Sequence, residues 1–169
     1  MDEMKCGRSD VIGTNPAGTN RVGTNRAGAN HASANFASVP RGNEVVLLVE
    51  DDEIVRALAK RILTLSGYVV LEAPGGRTGL ALCQNQQTVI DLLVTDVVMP
   101  DLGGCELADC ALTLRPGLKI MFMSGYSQDS VKMNGHSKTS FLQKPFTPVQ
   151  FATKVRDTID SNTRAAGQS

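Results

Sequence analysis

Between Val45 and Ile159, short apolar runs alternate with segments whose apolar residues recur at helical spacing. Such alternation restricts a fold tightly, because strands that run the same way need long crossover connections and a helix is the usual one. Val45-Val49 is a continuous apolar run, as suits a strand buried on both faces. Ile54, Leu58, Ile62 and Leu65 then recur at helical spacing, and Gly67 supplies the stop signal. Tyr68-Leu71 reads as a second strand. A weaker helix follows from about Arg77 to Asn85, carrying Leu80 and Leu82, with Gly79 lowering its propensity. Leu92-Thr95 is the third strand, Cys105-Leu114 the third helix, Pro116-Gly117 a break, and Lys119-Met123 the fourth strand.

Gln128 to Asn134 gives a poorly patterned fourth helix, and Phe141-Gln143 a short fifth strand. Val149, Val155 and Ile159, with Phe151 and Ala152 between them, mark a final amphipathic helix. The pattern predicts an α/β fold of five strands and five helices, a doubly wound parallel sheet covered on both faces. In such sheets the site lies beyond the carboxyl ends of the strands.

Those ends are polar. The first strand runs into Glu50-Asp51-Asp52, the third into Asp96, the fourth into Ser124 and the fifth into Lys144. Taken singly, an acidic cluster after a strand belongs at a helix N-terminus, where it offsets unpaired amides, and Asp52 and Glu53 suit that role. Taken together, carboxylates from two strands converge and repel. A hard divalent cation relieves the repulsion, and magnesium prefers a few carboxylates, several waters and phosphate oxygens. A lysine and a hydroxyl beside them complete a site for a phosphoryl group.

The segments VLLVEDDE, LLVTDVVMPDLGG, IMFMSGY and FLQKPF, in this order and at these strand ends, resemble the receiver domain of two-component response regulators. The wording SGY and FLQKPFTP is similar to receivers at the ends of hybrid histidine kinases. The resemblance covers residues 44–161 and implies the flavodoxin-like (βα)5 fold. It implies that Asp96 is the phosphoacceptor, with Mg2+ held by Asp51 and Asp96, by Glu50 through water, and by the backbone carbonyl of Val98. Ser124 takes the place of the switch hydroxyl, Phe141 that of the switch aromatic, and Lys144 that of the charge-neutralising lysine, whose bond to Pro145 is expected in cis. It further implies a histidine kinase or phosphotransfer protein as donor, an unknown downstream protein, and a switched surface made by the fourth helix, fifth strand and fifth helix. Such a domain is no enzyme on a separate substrate; it only assists its own phosphorylation and dephosphorylation. Val98 and the bulky Tyr126 would flank the phosphoryl group and hinder water.

Two other readings are weaker. A haloacid-dehalogenase-type phosphatase needs a second Asp two residues beyond its nucleophile, where this chain has Val98. A phosphorylation-independent interaction domain would not need the complete set of site residues. His136 lies in a polar loop and reads as solvated.

Upstream, residues Thr14 to Ser38 repeat every five: TNPAG, TNRVG, TNRAG, ANHAS, ANFAS. This resembles pentapeptide-repeat proteins, yet the unit centres Pro16, Arg21, Arg26 and His31 cannot fill an apolar core; only Phe36 could. Gly, Asn, Thr and Ala do not offset the entropy of ordering, so residues 1–43 are expected to be a disordered arm and 162–169 a flexible tail. The formal charge is zero and the basic residues form no runs, which argues against direct nucleic-acid binding. No stretch reaches the roughly eighteen apolar residues of a membrane span, and no signal peptide is evident, so a cytoplasmic location is expected. Cys83, Cys105 and Cys110 are expected to pack as small hydrophobes and Cys6 to be exposed, with no zinc spacing among them.

Overall fold

A computed structural model of the protein describes residues 39–125 and 139–161. Five strands, β1 (Val45–Val49), β2 (Val69–Ala73), β3 (Leu92–Asp96), β4 (Lys119–Ser124) and β5 (Thr139–Gln143), form one parallel sheet in the order β2-β1-β3-β4-β5. The described helices are α1 (Glu53–Leu65), α2 (Gly76–Gln84), α3 (Gly104–Leu114) and α4 (Pro148–Asp160). This is the doubly wound, flavodoxin-like order, with its crossing point between β1 and β3. The fourth helix expected over 128–134, Tyr126, His136, the repeat arm to Ser38, Cys6 and the tail from Asn162 lie outside the described residues.

Side chains of one strand alternate between two cores. Val46 and Leu48 of β1 face a cluster with Ala59, Ile62 and Leu63 of α1 and Phe151, Ala152 and Val155 of α4. Leu47 and Val49 face the other, with Cys83 of α2 and Leu107, Ala108 and Ala111 of α3. Both faces being covered explains why the strands read as continuous apolar runs. Met99, Met121, Met123 and Leu107 are buried, and Leu112 is half-buried. Cys110, expected to pack, is exposed on α3.

Helix ends follow local chemistry. The carboxylate of Asp52 accepts from the amides of Ile54 (2.8 Å) and Val55 (3.0 Å), capping α1. At the other end the Tyr68 amide donates to the Leu63 carbonyl and the Gly67 amide to Thr64, with Gly67 at φ 94°, a left-handed cap that glycine adopts without penalty. Thr147 and Gln150 form a capping box on α4, with Pro148 in its first turn.

The apolar face of α1 differs from its periodic pattern. Of the four residues at helical spacing only Ile62 is buried; Ile54 is 80% exposed, and Leu58 and Leu65 about half exposed. The helix presents Ala59, Ile62 and Leu63 inward instead, in the cluster formed with α4 and the sheet.

The packed chain also reaches upstream of the expected start at Glu44. Val39 is 7% exposed and belongs to the α1/α4 core, and the Gly42 amide donates to the Ser66 carbonyl at 3.0 Å. Val39→Ala is therefore expected to cost about 1–2 kcal/mol. The measurement is a urea titration, in which the midpoint falls while the slope is unchanged; an unmoved midpoint contradicts it.

Candidate functional site

β1, β3, β4 and β5 end at or just before a polar residue, and the parallel register brings those ends to one edge. Val49 pairs with Thr95, so Glu50 and Asp96 follow side by side on β1 and β3. Oxygen atoms of Glu50, Asp51 and Asp96 lie within 4.8 Å of one another. Three carboxylates at that spacing suit a single hard divalent cation.

Lys144, the residue after β5, reaches across this trio. Its ammonium donates to Glu50 Oε2 at 2.8 Å and to Asp96 Oδ2 at 2.9 Å. The other Asp96 oxygen accepts from the Val97 amide at 2.7 Å, so both carboxylate oxygens have fixed partners. Asp96 keeps 15% of its side-chain surface open, whereas Glu50 keeps 1%. Burial pushes the Glu50 carboxyl up, partly opposed by Lys144 and reinforced by the negative charges of Asp96 and Asp51. Burial also disfavours the Lys144 ammonium, but its hydrogen bonds to Glu50 and Asp96 outweigh that and push Lys144 up.

The remaining expected residues fall around this centre. Ser124 ends β4, is 1% exposed, and its carbonyl accepts from the Lys144 amide at 2.7 Å. Phe141 lies in β5 opposite Phe122 and packs, half-buried, on the α2/α3 side of the sheet. Val98 stands two residues past Asp96 and is 62% exposed. The Lys144–Pro145 peptide is cis. Asp51 is exposed at the rim, and Asp52 is used as the cap of α1.

Three supporting residues escaped the sequence reading. Arg56 donates to the Glu50 carbonyl (2.8 Å) and the Asp51 carbonyl (3.3 Å), fixing the turn that carries both acids. Gly104 donates to the Val97 carbonyl at 2.9 Å, and a Cβ there would collide with the Asp96 carbonyl oxygen, so only glycine lets α3 start this close to the Asp96 backbone. The paired glycines of DLGG were the available signal. Phe146 stacks on Phe151, with ring centroids 5.1 Å apart.

Removing the ammonium leaves three acids facing one another. Lys144→Met is expected to raise the Glu50 carboxyl further, read by carbon NMR titration of its side chain. A carboxyl whose folded-state value lies above its unfolded one loses its stabilising contribution as pH rises through the folded value. The variant should therefore lose stability relative to the parent as pH increases from the ordinary glutamate range upward. A Glu50 titration unmoved by the substitution contradicts the assignment.

A family model described as the response regulator receiver domain matches residues 46–156. The chain is similar to the sensor kinase CckA of Brucella abortus (strain 2308), 37% identical over 121 residues that make up 70% of this chain and 13% of the kinase. It is similar to the response regulator receiver protein CpdR of the same organism, 36% identical over 105 residues, 60% of this chain and 84% of CpdR. It thus spans a small part of the kinase relative and most of the regulator relative. Among solved structures, the receiver domain of the hybrid histidine kinase CckA aligns with a TM-score of 0.60 at 34% identity, covering 68% of this chain and 98% of that one. In the described residues no helix is long and apolar enough to cross a membrane. With the family model running from the first strand into the last helix, over a parallel sheet of matching order, the chain belongs to the receiver domains of response regulators.

Proposed function

We propose that this receiver accepts a phosphoryl group on Asp96 from a phosphohistidine of a partner histidine kinase or phosphotransfer protein. The observation that carries the reading is the arrangement of the Asp96 carboxylate, with the Val97 amide on one oxygen and the Lys144 ammonium on the other, beside Glu50 and Asp51. A carboxylate held in this way is oriented for in-line attack, and positioning supplies most of the catalysis in phosphoryl transfer.

An Asp96 oxygen forms the new bond to phosphorus as the bond to the donor's imidazole nitrogen breaks. The imidazole leaves with the electron pair and takes up a proton. Lys144 is already at hydrogen-bond distance from the nucleophile, so a small swing carries its ammonium to a phosphoryl oxygen while Glu50 remains within reach. Mg2+, held by Asp51, Asp96, the Val98 carbonyl and Glu50 through water, would neutralise charge on the carboxylates and the transferring group. The Ser124 hydroxyl bonds a phosphoryl oxygen, and Phe141 turns inward in response, changing the surface read by a downstream protein. The chain processes no separate substrate. A cytoplasmic location fits a donor of this kind.

The test is incubation with a labelled small acyl phosphate and Mg2+, comparing the parent chain with Asp96→Asn. Acid-stable but base-labile label should appear on the parent alone, and chelation should abolish it. Label retained by the variant removes Asp96 as the acceptor. An unlabelled parent, with Asp96→Asn indistinguishable in cells, would favour a phosphorylation-independent interaction domain.

Val98 adds a second expectation. Its apolar, exposed side chain beside Asp96 offers no hydrogen bond to an attacking water. Val98→Asn supplies one and should speed loss of the phosphoryl group about tenfold, roughly 1.4 kcal/mol off the barrier. Decay of the isolated phosphoprotein measures it, and an unchanged half-life counts against the role.

A further inference from the structure

We infer that Phe146 is a positioning residue for Lys144, holding the ammonium over Asp96 by stacking on Phe151. Lysine has a flexible four-carbon stem with much rotamer freedom to lose, so a lysine that must span two carboxylates needs its backbone fixed on both sides. On the upstream side the Lys144 amide is tied to the Ser124 carbonyl at 2.7 Å. On the downstream side Pro145 has no N–H to donate. The next backbone anchor is Thr147, whose side chain accepts from the Gln150 amide and whose carbonyl accepts from Phe151.

Between those anchors the hold is the Phe146 ring. It lies nearly parallel to the Phe151 ring, 14° apart, with centroids 5.1 Å apart. Phe151 is fully buried in the core shared by α1, α4 and the sheet, so it is a rigid platform. Phe146 itself is half-buried and borders, with Lys144, Pro145, Val55 and Leu58, an apolar groove of about 360 Å³ beside the site. The ring therefore couples a rigid core residue to the segment carrying the ammonium. Offset-stacked pairs attract beyond what their burial supplies. A misplacement on the order of 1 Å at a reacting centre can cost as much as a hundredfold in rate.

Two measurements test this, and only the second rests on the phosphoacceptor reading. The first is competitive acetylation followed by mass spectrometry. Held between Glu50 and Asp96, Lys144 should label slowly; in Phe146→Ala, and less so in the fold-sparing Phe146→Leu, its labelling should rise several-fold while Lys60 and Lys154 stay unchanged. Phe146→Tyr keeps the ring and should restore the parent's labelling. A rise shared by all lysines indicates general loosening and overturns the inference, as does an unchanged Lys144. The second is the rate of phosphorylation by a small acyl phosphate at saturating Mg2+. Phe146→Ala should lower it about tenfold in the parent and have no effect in a Lys144→Ala background, because removing the lysine removes what the ring positions. Equal losses in both backgrounds overturn the inference. A parent that takes no label sinks the proposed function alone, and the acetylation result still decides the role of Phe146.

Discussion

Like charges forced together at one edge of the sheet are the constraint on which the rest depends. Parallel pairing of β1 with β3 leaves Glu50 and Asp96 no way to avoid each other. Burying an unpaired carboxylate costs several kcal/mol, and Glu50 is almost wholly enclosed. Lys144 offsets this by donating to both acids, yet one ammonium facing three carboxylates leaves the centre negative. Burial is the main cause of the upward push on Glu50, and the negative charges of Asp96 and Asp51 add to it against the opposing pull of Lys144. A centre left short of positive charge is well suited to a hard cation, which is the physical basis of the proposed chemistry.

The fold sustains this by fixing backbone first. Arg56 holds the carbonyls behind the acidic pair, Gly104 lets α3 begin against the carbonyl of Asp96, and the Val97 amide orients the carboxylate. None of these groups needs to move for the charges to be rearranged. The Lys144 ammonium, on its flexible four-carbon stem, can change partners while these backbone groups stay in place.

The sequence made legible what depends on strand periodicity and strand ends. Apolar runs gave the five strands to within about two residues, and the polar residues closing four of them named Glu50, Asp51, Asp96, Ser124 and Lys144. What could not be read depends on how elements approach one another. Ile54, Leu58 and Leu65 share a helical spacing with Ile62 but stand outside, while Ala59 and Leu63 join Ile62 in the core with α4 and the sheet, a choice of face that periodicity alone does not make. Val39 looked like part of a polar arm and is core, since its neighbours are supplied by α1 and α4 and not by its own segment. Arg56 and Phe146 had no local signal, for their partners are backbone carbonyls and a ring that only the tertiary fold brings near.

The same reasoning explains why the hydroxyl and the lysine belong to one device. The Ser124 carbonyl accepts from the Lys144 amide, so the ends of β4 and β5 are joined at the two residues expected to meet the phosphoryl group. The Val97 amide in turn donates to the Met123 carbonyl, tying the residue after Asp96 to the same strand. Asp96, Ser124 and Lys144 thus stand on strand ends connected by backbone hydrogen bonds. If Asp96 takes up charge as proposed, Ser124 and Lys144 meet it from strand ends that share one backbone hydrogen bond. Side chains at that edge can rotate independently, but their backbone anchors respond as one unit.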